Sequence, residues 1–250
     1  MAIIIKSSEE IAIMREAGEI LHTILFELER FTEIGKTTKE IDQYAEKLIK
    51  KYGVVASFKN YKGFPATICS SVNEQVVHTI PTSDMILKDG DILTIDCGVL
   101  YKGFHSDSAI TILIGNVDPA VKEFVFVVKK ALKEGISRIK PGTKLNVIGE
   151  TIQKIIEDKH GYSIVKELTG HGIGRELHED PFVLNYKDHS NNIVLEEGMT
   201  LAIEPIVAMG GSEIITLKDQ WTIITADKMP ACQWEHTVAV TKDGCEILTA

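Results

Sequence analysis

No cationic excess, no long apolar run and no paired-cysteine spacing occurs in this sequence of 250 residues, and each absence removes a class of function. The 27 Lys and Arg are outnumbered by 36 Asp and Glu, for a formal charge of -9. A nucleic-acid surface would have to be a local basic patch working against that field, and none is visible. The four cysteines, Cys69, Cys97, Cys232 and Cys245, form neither a CxxC nor a zinc-ribbon pattern. A chain of this length, 44% hydrophobic, can bury a core without disulfides, so reduced thiols in a cytoplasmic protein are expected. The opening Met1-Ala-Ile-Ile-Ile-Lys6 is too short an apolar run for a signal peptide, and nothing later is long enough to span a membrane. One compact α/β unit, or two small fused halves, is the expectation.

Four helices are predicted. The first opens at the capping box Ser7-Ser8-Glu9-Glu10, carries Ile13, Ala17, Ile20, Ile24 and Leu28 on one stripe, and runs to about Phe31. The second starts at a further capping box, Thr37-Thr38-Lys39-Glu40, and stops at Gly53. A third begins with Asp118-Pro119 and extends through Leu132; a fourth spans about Leu145 to Lys159. The β-branched runs at 91–96, 109–114, 200–204 and 237–241 read as strands.

Four echoes recur in the same order along the chain. Gly35-Lys-Thr37 opens a helix, as Gly142-Thr143-Lys144 does. His78-Thr-Ile-Pro81 is echoed by His178-Glu-Asp-Pro181. Leu87-Lys-Asp-Gly90 precedes a strand ending in Asp96, and Leu195-Glu-Glu-Gly198 one ending in Glu204, with six positions from glycine to carboxylate in both. Asp107-Ser-Ala-Ile-Thr-Ile is matched by Glu235-His-Thr-Val-Ala-Val. Four echoes in register imply two α/β halves, about 1–115 and 116–250, related by an approximate two-fold, with acidic residues where their sheets join.

Asp96 and Asp107 flank a turn near Tyr101-Lys102-Gly103, so a hairpin would set them almost opposite each other on one face, about 5 Å apart. Two readings follow: a solvated polar hairpin face, or carboxylates held together by a cation. Glu204 and Glu235 favour the second, because each adjoins an apolar strand where an unpaired buried charge costs several kcal/mol. His171, in Thr169-Gly-His-Gly-Ile-Gly174, is a fifth ligand candidate, its glycines letting the backbone turn sharply. Oxygen donors with one nitrogen and no thiolate suit Mn, Fe, Co or Zn. His78 and His178 would overfill such a site and are expected to contact ligands or substrate, or to be structural; His105 is unassigned.

Taken together, Ser71-Val-Asn-Glu-Gln-Val-Val-His78, the strand ending at Asp96, Gly103-Phe-His-Ser-Asp107, Thr169-Gly-His171, Leu177-His178-Glu-Asp-Pro181, the strand ending at Glu204-Pro205 and Gln233-Trp-Glu235 resemble the methionine aminopeptidases of the "pita-bread" metallohydrolases. The likeness covers essentially the whole chain. It implies an α+β fold of two duplicated halves, an antiparallel sheet covered by helices. The absence of a long leading domain argues against the X-Pro aminopeptidase and prolidase relatives, which share the five ligands. The short interval between Glu204 and Glu235 leaves no room for the type II helical insertion, so the chain looks like a minimal type I member, without the zinc-binding extension of longer ones.

The resemblance also implies roles. Asp107 and Glu235 would bridge two divalent ions, Asp96 completing one and His171 with Glu204 the other; two such ions lower the pKa of a water and polarise the scissile carbonyl. Glu204, or alternatively Glu235, would be the general base, His178 an oxyanion donor and His78 a contact of the scissile amide. Phe58, Tyr61, Phe64, Cys69, Leu177 and Trp221 match an apolar pocket for a thioether side chain. Phe58 departs from the family pattern, where a small thiol is frequent, and Leu177 from a frequent aromatic; both affect the pocket's shape. Substrates would be N-termini of peptides and nascent chains with Met before a small residue, as in the chain's own Met1-Ala2. A monomer, near the ribosome but binding neither nucleic acid nor membrane, is expected. A proline-specific enzyme and a non-catalytic binding protein on the same fold are the competing readings.

Overall fold

The structure, a computed structural model, describes residues 3–188, 190 and 193–250; the Met1-Ala2 pair and positions 189, 191 and 192 lie outside the described residues. Helix α1 (Ser8–Phe31) starts where expected because Ser7 and Glu10 satisfy each other's backbone: the Ser7 side chain accepts from Glu10 N, and the Glu10 carboxylate from Ser7 N at 2.9 Å. Its buried stripe is centred on Met14, Ala17, Leu21, Ile24 and Leu28, rotated slightly from the expected one, so that Ile13 and Ile20 are only half-buried. Each such large aliphatic residue contributes about 1.5–3 kcal/mol when removed from water. Gly18 lets α1 lie directly on the chain at Leu248, where a Cβ would stand 2.0 Å from the Leu248 carbonyl oxygen.

Helix α2 (Thr38–Lys51) has the second capping box, and α3 (Pro119–Ile136) opens with Asp118 accepting from Ala120 N at 2.8 Å. The fourth helix is not continuous. α4 covers Asn146–Gln153 and gives way to a wider π-helical stretch at Lys154–Lys159. Thr151 donates its hydroxyl back to Val147 O at 2.7 Å, a bond of the kind that bends a helix.

One sheet of four strands is built on the hairpin Ile92–Tyr101 and Phe104–Leu113, with Cys69–Val72 and Val55–Ala56 pairing the first hairpin strand. A five-stranded sheet runs Cys245–Ile247, His236–Val240, Thr200–Ile203, Gly170–Gly172 and Glu179–Val183. All strand pairs in both are antiparallel. Two smaller sheets of three strands adjoin them. The buried face of α1 and α2 shares one apolar cluster with the hairpin, and α3 and α4 share another with the five-stranded sheet.

The turns before each half's central strand match bond for bond. Gly35 N donates to Leu87 O and Leu87 N to Lys36 O, while Gly142 N donates to Leu195 O and Leu195 N to Thr143 O, all at 2.8 Å. The two sheets meet edge to edge along 107–111 and 233–237. There Glu235 N donates to Ala109 O at 3.0 Å, the Ser108 hydroxyl to Glu235 O at 2.7 Å and the Thr111 hydroxyl to Gln233 O at 2.7 Å.

Candidate metal centre

The hairpin turns on Lys102 and Gly103, both left-handed, with Tyr101 paired to Phe104. This two-residue turn sets Asp96 opposite Ala109 and Asp107 opposite Gly98, so the aspartates are not directly opposed as expected. They are diagonal neighbours on one face, because the centre of the turn falls one residue beyond the midpoint between them. Asp107 then lies at the seam, where its backbone exchanges hydrogen bonds with the Thr237 hydroxyl. From across the seam come Glu204, just past Thr200–Ile203, and Glu235, just before His236–Val240, on strands that pair Ile203 with His236.

His171 arrives from the strand beside Thr200–Ile203, opposite Ala202. The flanking glycines do not make the expected sharp turn. They allow close packing within the sheet: a Cβ on Gly170 would stand 2.3 Å from Ala202 O, and one on Gly172 2.2 Å from Asp180 O. His171 Nδ1 lies 2.8 Å from Gly172 O, which can only accept, so Nδ1 carries the proton and Nε2 keeps its lone pair. Nε2 faces Glu204 Oε1 at 3.7 Å. Burial lowers the His171 pKa to about 4, which leaves the ring neutral near pH 7. Ligand atoms of Asp107, His171 and Glu235 lie within 4.8 Å of one another.

Electrostatics say what this cluster needs. Burial pushes the Asp96 carboxyl up to about 7 and raises Asp107, Glu204 and Glu235 well above their ordinary range, with mutual repulsion adding to the last three. Asp96 Oδ1 and Asp107 Oδ1 are buried without a hydrogen-bond partner. Orphaned carboxylate oxygens converging with an imidazole lone pair are an uncompensated negative site, and oxygen-rich donors with one nitrogen fit a divalent ion. One member is already fixed: Glu204 Oε2 accepts from Gln233 Nε2 at 3.1 Å, and its backbone carbonyl from Asn185 Nδ2 at 2.9 Å.

These five residues form the floor of a cavity of about 220 Å³. Phe58, Phe64, Cys69 and Leu177, all buried, make an apolar wall with Trp221, whose ring meets Phe64 edge-on at 5.2 Å between centroids. His78, in a left-handed backbone conformation, and His178 line the same space. The His178 ring is 4.3 Å from that of His171, and its Nδ1 is 2.8 Å from the Tyr61 hydroxyl. Desolvation first, then nearby cationic groups including Lys62, lowers the His178 pKa to about 3. Every site residue expected from the sequence therefore faces one cavity. Sequence reasoning missed Lys62 at its lining, Gln233 on Glu204 and Thr237 on Asp107. Gln233 and Thr237 stand two positions either side of Glu235, but only the seam gives them partners. His105 is not among the residues lining the cavity, and its Nδ1 lies 2.9 Å from the Ser57 hydroxyl.

Residues 12–242 match metallopeptidase family M24. The chain belongs to that family. It is 44% identical over 247 residues to methionine aminopeptidase 1 of Bacillus subtilis (strain 168), covering 99% of each chain. A methionine aminopeptidase from Thermotoga maritima superposes with a TM-score of 0.96 at 39% identity, again with 99% of each chain covered. A prolidase from Pyrococcus furiosus is more distant, with a TM-score of 0.77 and 27% identity, and this chain spans 65% of its length. The fold is accordingly the pita-bread α+β fold, and the chain is a metallopeptidase of the methionine aminopeptidase branch. No helix among the described residues is long and apolar enough to cross a membrane.

Proposed function

We propose that this chain removes the N-terminal methionine from peptides and nascent proteins whose second residue is small, by hydrolysing the first peptide bond. The observation that carries the reading is the single cavity that joins an acidic, histidine-bearing floor to an apolar aromatic wall. The metal-loaded floor would take a free amino group, and the wall takes an unbranched thioether through buried area and sulfur–aromatic contact. A free amino terminus and a methionine side chain thereby locate the scissile bond one residue into the chain.

Two divalent ions, of Co, Mn, Fe or Zn, would be held by Asp96 with Asp107 and Glu235 on one side and by His171 and Glu204 with the same bridging pair on the other. When bound, they would supply carbonyl polarisation and a water made acidic near neutral pH. Glu204, whose Oε1 is left free by the Gln233 contact on Oε2, would take the proton from the attacking water, with Glu235 as competitor. His178, neutral, with Nδ1 accepting from Tyr61, would present Nε2–H to the developing oxyanion. His78 would contact the scissile amide. The paired halves 1–115 and 116–250 support a duplicated origin of the site, each contributing a strand-end carboxylate. A monomer acting in the cytoplasm, close to where nascent chains emerge, fits this substrate.

The test is hydrolysis of Met-Ala-Ser against Ala-Pro peptides by the metal-loaded protein, with metal content measured in parallel. Release of methionine from the first alone is expected, and its loss in Asp96→Ala with the fold preserved. Cleavage of Ala-Pro instead would mark the proline-specific reading, and full activity of Asp96→Ala would overturn the metal site.

A further inference from the structure

The geometry points to Lys62 as a specificity residue of this same site: a cation at the leaving-group side of the cavity that selects peptides carrying negative charge shortly after the cleaved bond. The inference rests on the aminopeptidase reading above. Lys62 is exposed at the cavity lining and sits in a tight turn, Tyr61–Gly63, whose backbone is left-handed at three nearby positions, with φ of 70° at Asn60, 48° at Lys62 and 91° at Gly63. A non-glycine residue in that region is strained and persists where surrounding structure imposes it. Here Asn60 N donates to Phe64 O at 2.8 Å and Phe64 N to Tyr61 O at 2.9 Å, closing the turn, while buried Phe64 anchors it in the apolar wall. The Lys62 side chain is thus carried by a fixed loop.

Its charge helps to keep His178 neutral but is not taken up in an ion pair. Nζ lies 5.3 Å from the Tyr61 ring centroid, a weak exposed cation–π contact, and no carboxylate among the described residues is within ion-pair distance. The floor of the cavity meanwhile holds four carboxylates. In the reading above, the free amino end of a bound peptide belongs at that floor, with the metal ions. The acidic floor is buried and Lys62 is exposed at the same lining, so a chain whose first residue sits at the floor runs out towards the side on which Lys62 stands with Tyr61 and His178. The complementary group there is an acidic side chain or, in a short peptide, the terminal carboxylate.

Three peptide amides, Met-Ala-Asp, Met-Ala-Asn and Met-Ala-Lys, separate side-chain charge from terminal charge when assayed with metal-loaded enzyme at low and high salt. The wild type is expected to favour Asp over Lys by about two- to fivefold in kcat/KM, the scale of an exposed charge pair, and to lose the preference at high salt. Lys62→Asn, which keeps a residue tolerated in left-handed backbone, removes the preference, and Lys62→Asp reverses it. Because the readout is a ratio within each variant, a general loss of activity does not mimic it. Equal rates on all three peptides in the wild type, or an acidic preference surviving in Lys62→Asp, overturns the proposal. A wild type that releases methionine from none of them overturns the aminopeptidase reading, and this inference with it.

Discussion

Thr237 holds the backbone of Asp107 from both sides: its hydroxyl accepts from Asp107 N at 2.9 Å and donates to Asp107 O at 2.8 Å. This is a side chain of one sheet fixing a carboxylate of the other, across the seam on which the metal centre stands. Thr237→Val keeps the shape and leaves a buried N–H and C=O unpaired, at a cost of about 1–3 kcal/mol. Metal affinity should fall about tenfold as Asp107 loosens, the lower end for loss of an outer partner of a ligand. Thermal unfolding and calorimetric titration of the divalent ion read the two effects; unchanged affinity in a folded variant would sink the positioning role.

Asp96 gives the sign of a pH effect. Its folded pKa of about 7 lies above the ordinary carboxyl value of 3.8, so its contribution to the metal-free fold is complete below about pH 4 and is lost as pH rises through 7. Asp96→Asn removes this titration without removing volume. The variant should therefore gain stability over the metal-free wild type progressively from about pH 4 to pH 7 and hold that gain above it, while losing hydrolysis. Comparing the two proteins cancels the opposing contributions of His171 and His178, whose pKa values are lowered. A melting-temperature difference that stays flat across this range would contradict the assignment.

Much of this was legible in the chain because the signals are local or repeated. Both capping boxes, the Gly90-to-Asp96 and Gly198-to-Glu204 spacings and the apolar strands fixed where the carboxylates stand along their own elements. What the sequence could not convey was non-local. The one-residue offset at Lys102-Gly103 depends on turn geometry that many sequences share, and it shifts Asp96 and Asp107 from opposed to diagonal. Gly170 and Gly172 read as turn residues until the backbones at Ala202 and Asp180 occupy the space of their missing side chains. Lys62 carried no motif at all.

Metal binding should release protons. The four carboxylates have raised pKa values without metal and must ionise to bind it, whereas His171, at about 4, is already neutral. Apparent affinity should rise with pH through 7, and titrations in buffers of different protonation enthalpy should give different heats. Identical heats would mean that the carboxylates are ionised beforehand.

Lys6 and Glu179 form a buried ion pair next to His178, and Glu179 also accepts from Glu176 N at 3.2 Å. Lys6→Met strands a buried carboxylate and should destabilise by about 3–5 kcal/mol, while Lys6→Met with Glu179→Gln recovers most of that. Denaturant unfolding of the single and double variants measures the coupling; a double variant no better than the single one would show that the pair acts through shape rather than charge.

Tyr61 is the residue whose chemistry most directly tests the role of His178. In the role proposed above, the Tyr61 hydroxyl, 2.8 Å from Nδ1, is the donor, which puts the single imidazole proton on Nε2, the nitrogen that can address a developing oxyanion. Tyr61→Phe keeps the ring against the cavity wall but frees the imidazole to exchange tautomers. Half the population or more then presents a lone pair where a donor is needed, and the ring loses its orientation. kcat should fall by about tenfold or more with KM nearly unchanged, because the hydrogen bond matters most as negative charge develops. Were KM to rise with kcat intact, Tyr61 would be a wall of the binding pocket and nothing more.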